Sequence, residues 1–129
     1  MNTIFAQGVF VVAIGALLFG CGKKEEPVRQ ISFKADVQPI LQQYCLECHK
    51  PGEVGTIQSG LDLSSYEMLM QGTKFGRVVK PGDSLTSALN MLVEGRADPS
   101  IRMPHGRESL SADEIAILKI WVEQGARNN

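Results

Sequence analysis

Apolar residues recur at helical spacing in four segments of the chain, and connectors rich in glycine and proline separate these segments. The first segment carries a single apolar stripe: Phe33, Val37, Ile40, Leu41 and Tyr44. Asp36 is the favoured N-cap of this helix, because Pro39 then lies in the first turn, where its missing amide costs nothing. A start at Ser32 is the alternative, and Pro39 would then bend the helix.

The other three segments each have a polar residue that can cap the start of a helix and a glycine that can end it. The pairs are Ser64 or Ser65 with Gly72, Asp83 or Ser84 with Gly95, and Ser111 with Gly125. Glu114 completes a capping-box pattern with Ser111, which makes the last helix the clearest. Strand-like alternation is scarce, and roughly 20 residues after His49 are predicted as loop. We therefore predict an all-α fold of about four helices.

Residues 4–20 contain no charged side chain and end immediately before Cys21. The segment resembles a bacterial lipoprotein signal peptide, which implies that residues 1–20 are removed and that Cys21 carries lipid. Residues 21–32 are then a tether on the periplasmic face of the cell envelope, and the residue after the cysteine favours the outer membrane. Because no Lys or Arg precedes the apolar segment and Phe19 is bulky, an uncleaved signal anchor in the inner membrane is the alternative.

Either interpretation exports the rest of the chain, which is long enough for one small domain. We place this domain at residues 33–126 and a short tail at residues 127–129. The formal net charge is −1 and there is no basic excess, so nothing in the composition supports nucleic acid as a partner. A domain of this size has a modest core, and a covalently bound group would stabilise it.

The run Cys45-Leu46-Glu47-Cys48-His49 has the pattern of a covalent attachment site for c-type haem. Its spacing places the two thiols one helical turn apart, which matches the distance between the two vinyl groups of the porphyrin. His49 is then carried under the ring, where it binds the iron.

Three other interpretations fit this run less well. A thioredoxin-like redox pair lacks the surrounding βαβ pattern. A zinc site would add His105 to Cys45, Cys48 and His49, but His105 has no second ligand close to it in sequence. A Cys45–Cys48 disulfide would make the chain a binding lipoprotein without redox function.

An electron-transfer haem also needs a sixth iron ligand, and methionine or histidine is the usual choice. Three other methionines of the domain lie on predicted helices, where this residue usually fills the core. Met103 lies instead in the loop before the last helix, and Pro104 favours an extended conformation for it. Met103 is therefore the predicted ligand, and His105 is the alternative.

Residues 33–126 resemble a class I c-type cytochrome domain, in particular the compact type common in planctomycetes. The matching pieces, in order, are Cys45-x-x-Cys48-His49-x-Pro51, Gly60-Leu61-Asp62-Leu63, Val78-Val79-x-Pro81-Gly82, Met103-Pro104 and Trp121-Val122-x-x-Gly125-Ala126. The resemblance implies a small cytochrome c fold around one covalently bound haem, with the N- and C-terminal helices crossing beside it. It also implies His49 and Met103 as the axial ligands of the iron.

Four further residues have predicted roles in this site. Pro51 is predicted to offer its carbonyl oxygen to the ring N–H of His49, a bond that orients a ligating imidazole. Arg77 and Arg102 are candidates to pair with the haem propionates. Trp121 is expected to pack the last helix against the first.

The sequence thus predicts an exported, membrane-tethered monohaem protein that carries single electrons between redox protein partners, and not an enzyme. The alternative is a haem-bearing relay subunit of a larger membrane oxidoreductase complex, in which another polypeptide performs catalysis. No motif for a second cofactor is visible in the sequence.

Overall fold

The structure is a computed structural model that describes residues 28–129. This range contains five α-helices: α1, Gln38–Tyr44; α2, Val54–Ser59; α3, Tyr66–Gln71; α4, Ala88–Val93; and α5, Ala112–Glu123. A π-helix, Phe33–Val37, precedes α1, and a 3₁₀ helix, Pro99–Ile101, follows α4. The same range contains no strand, only an isolated bridge between Thr73 and Gly76. The predicted all-α class is therefore confirmed.

Three predictions fall outside the described residues: the signal peptide at residues 1–20, the lipidation site Cys21 and the first part of the tether. Within residues 28–129, no helix is both long enough and apolar enough to cross a membrane.

The first helical segment begins at Ser32, and the predicted N-cap at Asp36 is wrong. The Ser32 hydroxyl accepts the Ala35 N–H (3.1 Å), and the Asp36 carboxylate accepts the Ser32 N–H (2.8 Å). The π-helix Phe33–Val37 then leads into α1 just before Pro39. In a continuous α-helix, the ring of Pro39 would collide with the carbonyl group of Ala35, and the wider π-turn changes this register.

The capping predictions hold for α3 and α5 but not for α4. Ser65 caps α3, and Ser111 forms the predicted capping box at the start of α5. The helix α4 begins only after Ser87. The Asp83 carboxylate, which was a predicted cap of α4, instead accepts the Thr86 N–H in a separate turn (3.0 Å).

Helix α2 lies where the sequence predicted a loop. It has no buried residue, and the side chains of Val54 and Ile57 are 54% and 70% exposed, so no apolar stripe indicates it. Gly60 ends the helix in the left-handed conformation, with a φ of 79°. The Thr56 N–H donates to the Cys48 carbonyl (3.2 Å) and ties α2 to the cysteine-containing run.

Trp121 lies in the contact between the first and last helical segments. Its ring centroid is 5.6 Å from that of Phe33 and 6.5 Å from that of Tyr66. The Tyr66 hydroxyl donates to the Ala126 carbonyl (2.8 Å), so its polar end is satisfied at the edge of the core. The predicted packing of the last helix against the first is confirmed.

The two ends of the described chain are joined by hydrogen bonds. Ile31 is buried, and its N–H donates to the side chain of Gln124 (2.8 Å). The side-chain oxygen of Asn129 accepts the Phe33 N–H (2.9 Å). The folded domain therefore extends on both sides beyond the predicted residues 33–126.

Candidate functional site

Residues Cys45 to His49 form a helical turn that continues from α1. The N–H groups of Cys48 and His49 both approach the Cys45 carbonyl, at 3.2 and 3.0 Å. The turn leaves Cys45, Cys48 and His49 half-buried around one cavity. Both cysteines are free thiols, not the disulfide of the alternative interpretation.

The cavity beside this turn has a volume of about 540 Å³. This volume lies within the range of about 300–1,000 Å³ that is usual for ligand pockets. Met103 and His105 line the same cavity as the cysteines and His49, although they lie far away in sequence. Most of the remaining lining is apolar: Tyr44, Val54, Leu61, Leu63, Val78, Leu89, Leu92, Ile101 and Pro104. The structure thus brings the two predicted halves of the site together.

The His49 ring is oriented by the backbone of Leu61. Its Nδ1 lies 3.3 Å from the Leu61 carbonyl oxygen, which can only accept, so this nitrogen carries the proton. The other ring nitrogen, Nε2, is then free to bind a metal. The predicted partner was the carbonyl of Pro51, and this prediction is wrong, because α2 turns the chain back and places Leu61 against His49. The Leu63 N–H donates to the His49 carbonyl (2.8 Å) and fixes the same approach.

Gly55 of α2 lies against the His49 ring. A Cβ atom at this position would lie 2.8 Å from Cε1 and 2.9 Å from Nδ1 of His49, and 2.7 Å from the Cys48 carbonyl oxygen. Only glycine therefore permits α2 to pack this close to the imidazole. Sequence reasoning missed this role of Gly55, because the helix that carries it was not predicted.

Met103 is held at the cavity by a backbone hydrogen bond from its N–H to the Leu92 carbonyl (3.3 Å). Its side chain is half-buried, whereas His105 is exposed. The peptide bond between Met103 and Pro104 is cis. Both predicted candidates for the sixth ligand thus border the cavity, and the greater burial of Met103 favours it.

The arginines predicted to pair with the propionates, Arg77 and Arg102, do not line the cavity. Arg102 points elsewhere and donates to the Ser109 hydroxyl (3.0 Å). Arg107, which sequence reasoning did not identify, lines the cavity and forms an ion pair with Glu47. Glu47 lies between the two cysteines, so this exposed ion pair joins the loop before α5 to the turn.

The zinc interpretation finds no support in the site. Burial raises the pKa of the Cys45 thiol to about 11, and the positive charge of Arg107 offsets only part of this rise. Between residues 28 and 129, no three side chains of His, Cys, Asp or Glu come together as they would around a metal ion.

A family model matches residues 45–105, a little under half of the chain. The family is described as planctomycete cytochrome C. The match begins at the first cysteine of the turn and ends at His105. It therefore includes both the turn that carries the cysteines and His49 and the loop that carries Met103. Comparisons with curated proteins and with solved structures find no match.

Proposed function

We propose that this chain is a membrane-tethered carrier of single electrons with one covalently bound haem, because residues 45–105 match the model of the planctomycete cytochrome C family. The family indicates a haem-binding protein of electron transfer rather than an enzyme. The observation that carries the finer proposal is the single cavity that Cys45, Cys48 and His49 share with Met103.

The residues at the cavity fit a c-type haem. Two thiols, an imidazole with a free Nε2 and a thioether border one largely apolar space. The packing of Gly55 against the His49 ring leaves the imidazole little freedom to rotate.

Each residue then has one task. Cys45 and Cys48 would hold the haem through two thioether bonds, and His49 and Met103 would bind its iron. When bound, haem supplies a one-electron couple whose potential depends on its axial ligands and on its burial. The apolar side chains exclude water from the cavity, and the protein itself transfers no proton to a substrate.

The proposed location rests on the sequence before residue 28. An uncharged segment followed by Cys21 supports export and lipid attachment, which place the domain on the periplasmic face of the cell envelope, with the outer membrane favoured. A tethered carrier has a high effective concentration near redox proteins at the same membrane. Those redox proteins are the proposed partners.

The ligand assignment is tested by comparing Met103→Ala with its matched control His105→Ala. We expect Met103→Ala to lose the methionine–iron charge-transfer band of the oxidised protein and to lower the reduction potential, because methionine ligation raises it. His105→Ala should leave both unchanged. Visible spectra and a potentiometric titration of the purified, haem-loaded proteins measure these effects.

The opposite result, with a changed spectrum in His105→Ala alone, would move the sixth ligand to His105. A wild-type protein that shows no haem absorbance would refute the proposed function as a whole. Purification from membranes with a second polypeptide in constant ratio would instead support the relay subunit of a larger oxidoreductase.

A further inference from the structure

The carbonyl oxygen of Leu61 accepts two hydrogen bonds at the edge of the cavity. The Thr56 hydroxyl donates to it at 2.8 Å, and Nδ1 of His49 lies 3.3 Å from it. Usual N–H···O distances are about 2.9–3.0 Å, so the bond from His49 is the long member of the pair. One backbone acceptor is thus shared between a threonine of α2 and the predicted iron ligand.

Sharing this acceptor weakens the bond from His49. A carbonyl oxygen has two lone pairs, but a hydroxyl that donates to one of them withdraws electron density from the other. The N–H of His49 is then less polarised than it would be against an unshared carbonyl. A ligating histidine becomes a more basic ligand when its second nitrogen donates a stronger hydrogen bond.

We propose that Thr56 is a positioning residue that sets the donor strength of His49 and thereby raises the reduction potential of the bound haem. The inference rests on the proposed function and adds a means of tuning it. By occupying the Leu61 carbonyl, Thr56 keeps His49 a weaker electron donor. A weaker donor favours the reduced state, in which the iron carries less charge.

The backbone around Thr56 holds this arrangement in place. The Thr56 N–H donates to the Cys48 carbonyl (3.2 Å), and the Leu61 N–H donates to the Ser59 hydroxyl (3.1 Å). Both partners of the shared bond are therefore fixed from outside it. Valine has nearly the shape of threonine and the same branched Cβ, so Thr56→Val removes the hydroxyl with little change in packing.

The experiment is a potentiometric titration of the haem-loaded wild-type protein, Thr56→Val and Thr56→Ser. We expect Thr56→Val to lower the one-electron equilibrium constant for reduction by roughly threefold to tenfold. At 59 mV per tenfold, this change lowers the reduction potential by about 28–59 mV. Thr56→Ser keeps the hydroxyl and should titrate close to wild type. Thr56→Ala lacks the hydroxyl without the added methyl group, and it should shift in the same direction as Thr56→Val.

A second measurement follows the hydrogen bond itself. In NMR spectra of the reduced protein, the Nδ1 proton of His49 should move downfield in Thr56→Val, because its bond to the Leu61 carbonyl shortens. An unchanged or higher potential in both Thr56→Val and Thr56→Ala would overturn the inference, as would an equal shift in Thr56→Ser. Those outcomes require a haem-loaded wild-type protein, whereas a wild-type protein without haem would refute the proposed function instead.

Discussion

Replacing Cys45 and Cys48 together with serine is expected to abolish covalent haem attachment and to leave the domain without a stable tertiary structure. The turn would then hold no group that can bond to the porphyrin, and the cavity of about 540 Å³ would stay unfilled. Loss of the covalent group removes the packing partner of the apolar side chains around the cavity, and this loss is expected to cost an appreciable part of the stability of a small domain, which is about 5–15 kcal/mol in total. Mass spectrometry of the mature chain and thermal unfolding followed by circular dichroism measure the two effects.

Cys21→Ser is the matched control, because it makes the same chemical change at the one cysteine outside the run from Cys45 to His49. This variant should keep the mass of haem and its thermal stability, and it should lose the mass of the lipid. A double variant that retains the mass of haem, or that unfolds at the wild-type temperature, would contradict the assigned role of Cys45 and Cys48.

The parts of the site that the sequence predicted are those whose side chains carry the chemistry. Cys45, Cys48 and His49 lie within one helical turn, so their relation follows from the geometry of the turn without knowledge of the fold. Met103 could be singled out because the other methionines of the domain fall on predicted helices, where a methionine usually fills the core. Their meeting in one cavity was an expectation from the family resemblance, since periodicity alone does not bring distant segments together.

The parts that the sequence did not predict depend on backbone groups and on a helix without a core face. The side chains of Val54 and Ile57 are largely exposed, so α2 lacks the stripe by which the other helices were recognised. The partner of His49 is the carbonyl group of Leu61, and any residue type would supply the same atom. Only the fold of α2 determines which carbonyl group comes within reach.

The choice of N-cap and the choice of arginine at the cavity also could not be predicted from residue type alone. Asp83 and Ser87 are both residue types that favour the N-cap position, and they lie four residues apart. Which of them begins α4 depends on the backbone N–H group from which the Asp83 carboxylate accepts a hydrogen bond. Arg102 and Arg107 are both cationic and both follow α4, yet only Arg107 lines the cavity. Side-chain direction in a loop follows from the path of the backbone, which residue type alone does not specify.

Gly55→Ala is expected to disturb His49 more than any other single methyl group added to α2. The new Cβ would lie 2.8 Å from the imidazole and 2.7 Å from the Cys48 carbonyl, and backbone and ring would both have to move. Overpacking of this kind costs about 1–3 kcal/mol of stability. Because the displaced group is an iron ligand in the proposed site, the visible spectrum and the reduction potential should change as well. Both are measured on the purified holoprotein, alongside its thermal unfolding.

Gly52→Ala separates the effect on the ligand from the effect on stability. Gly52 has a φ of 89°, so alanine is strained there, but its Cβ would meet no atom within 4 Å. This control should therefore unfold at a lower temperature while its visible spectrum and potential stay those of the wild type. If Gly55→Ala behaved in the same way, with lower stability and an unaltered spectrum, α2 would be a structural support only. A changed spectrum in Gly55→Ala alone would instead identify this helix as the element that holds the imidazole in its binding orientation.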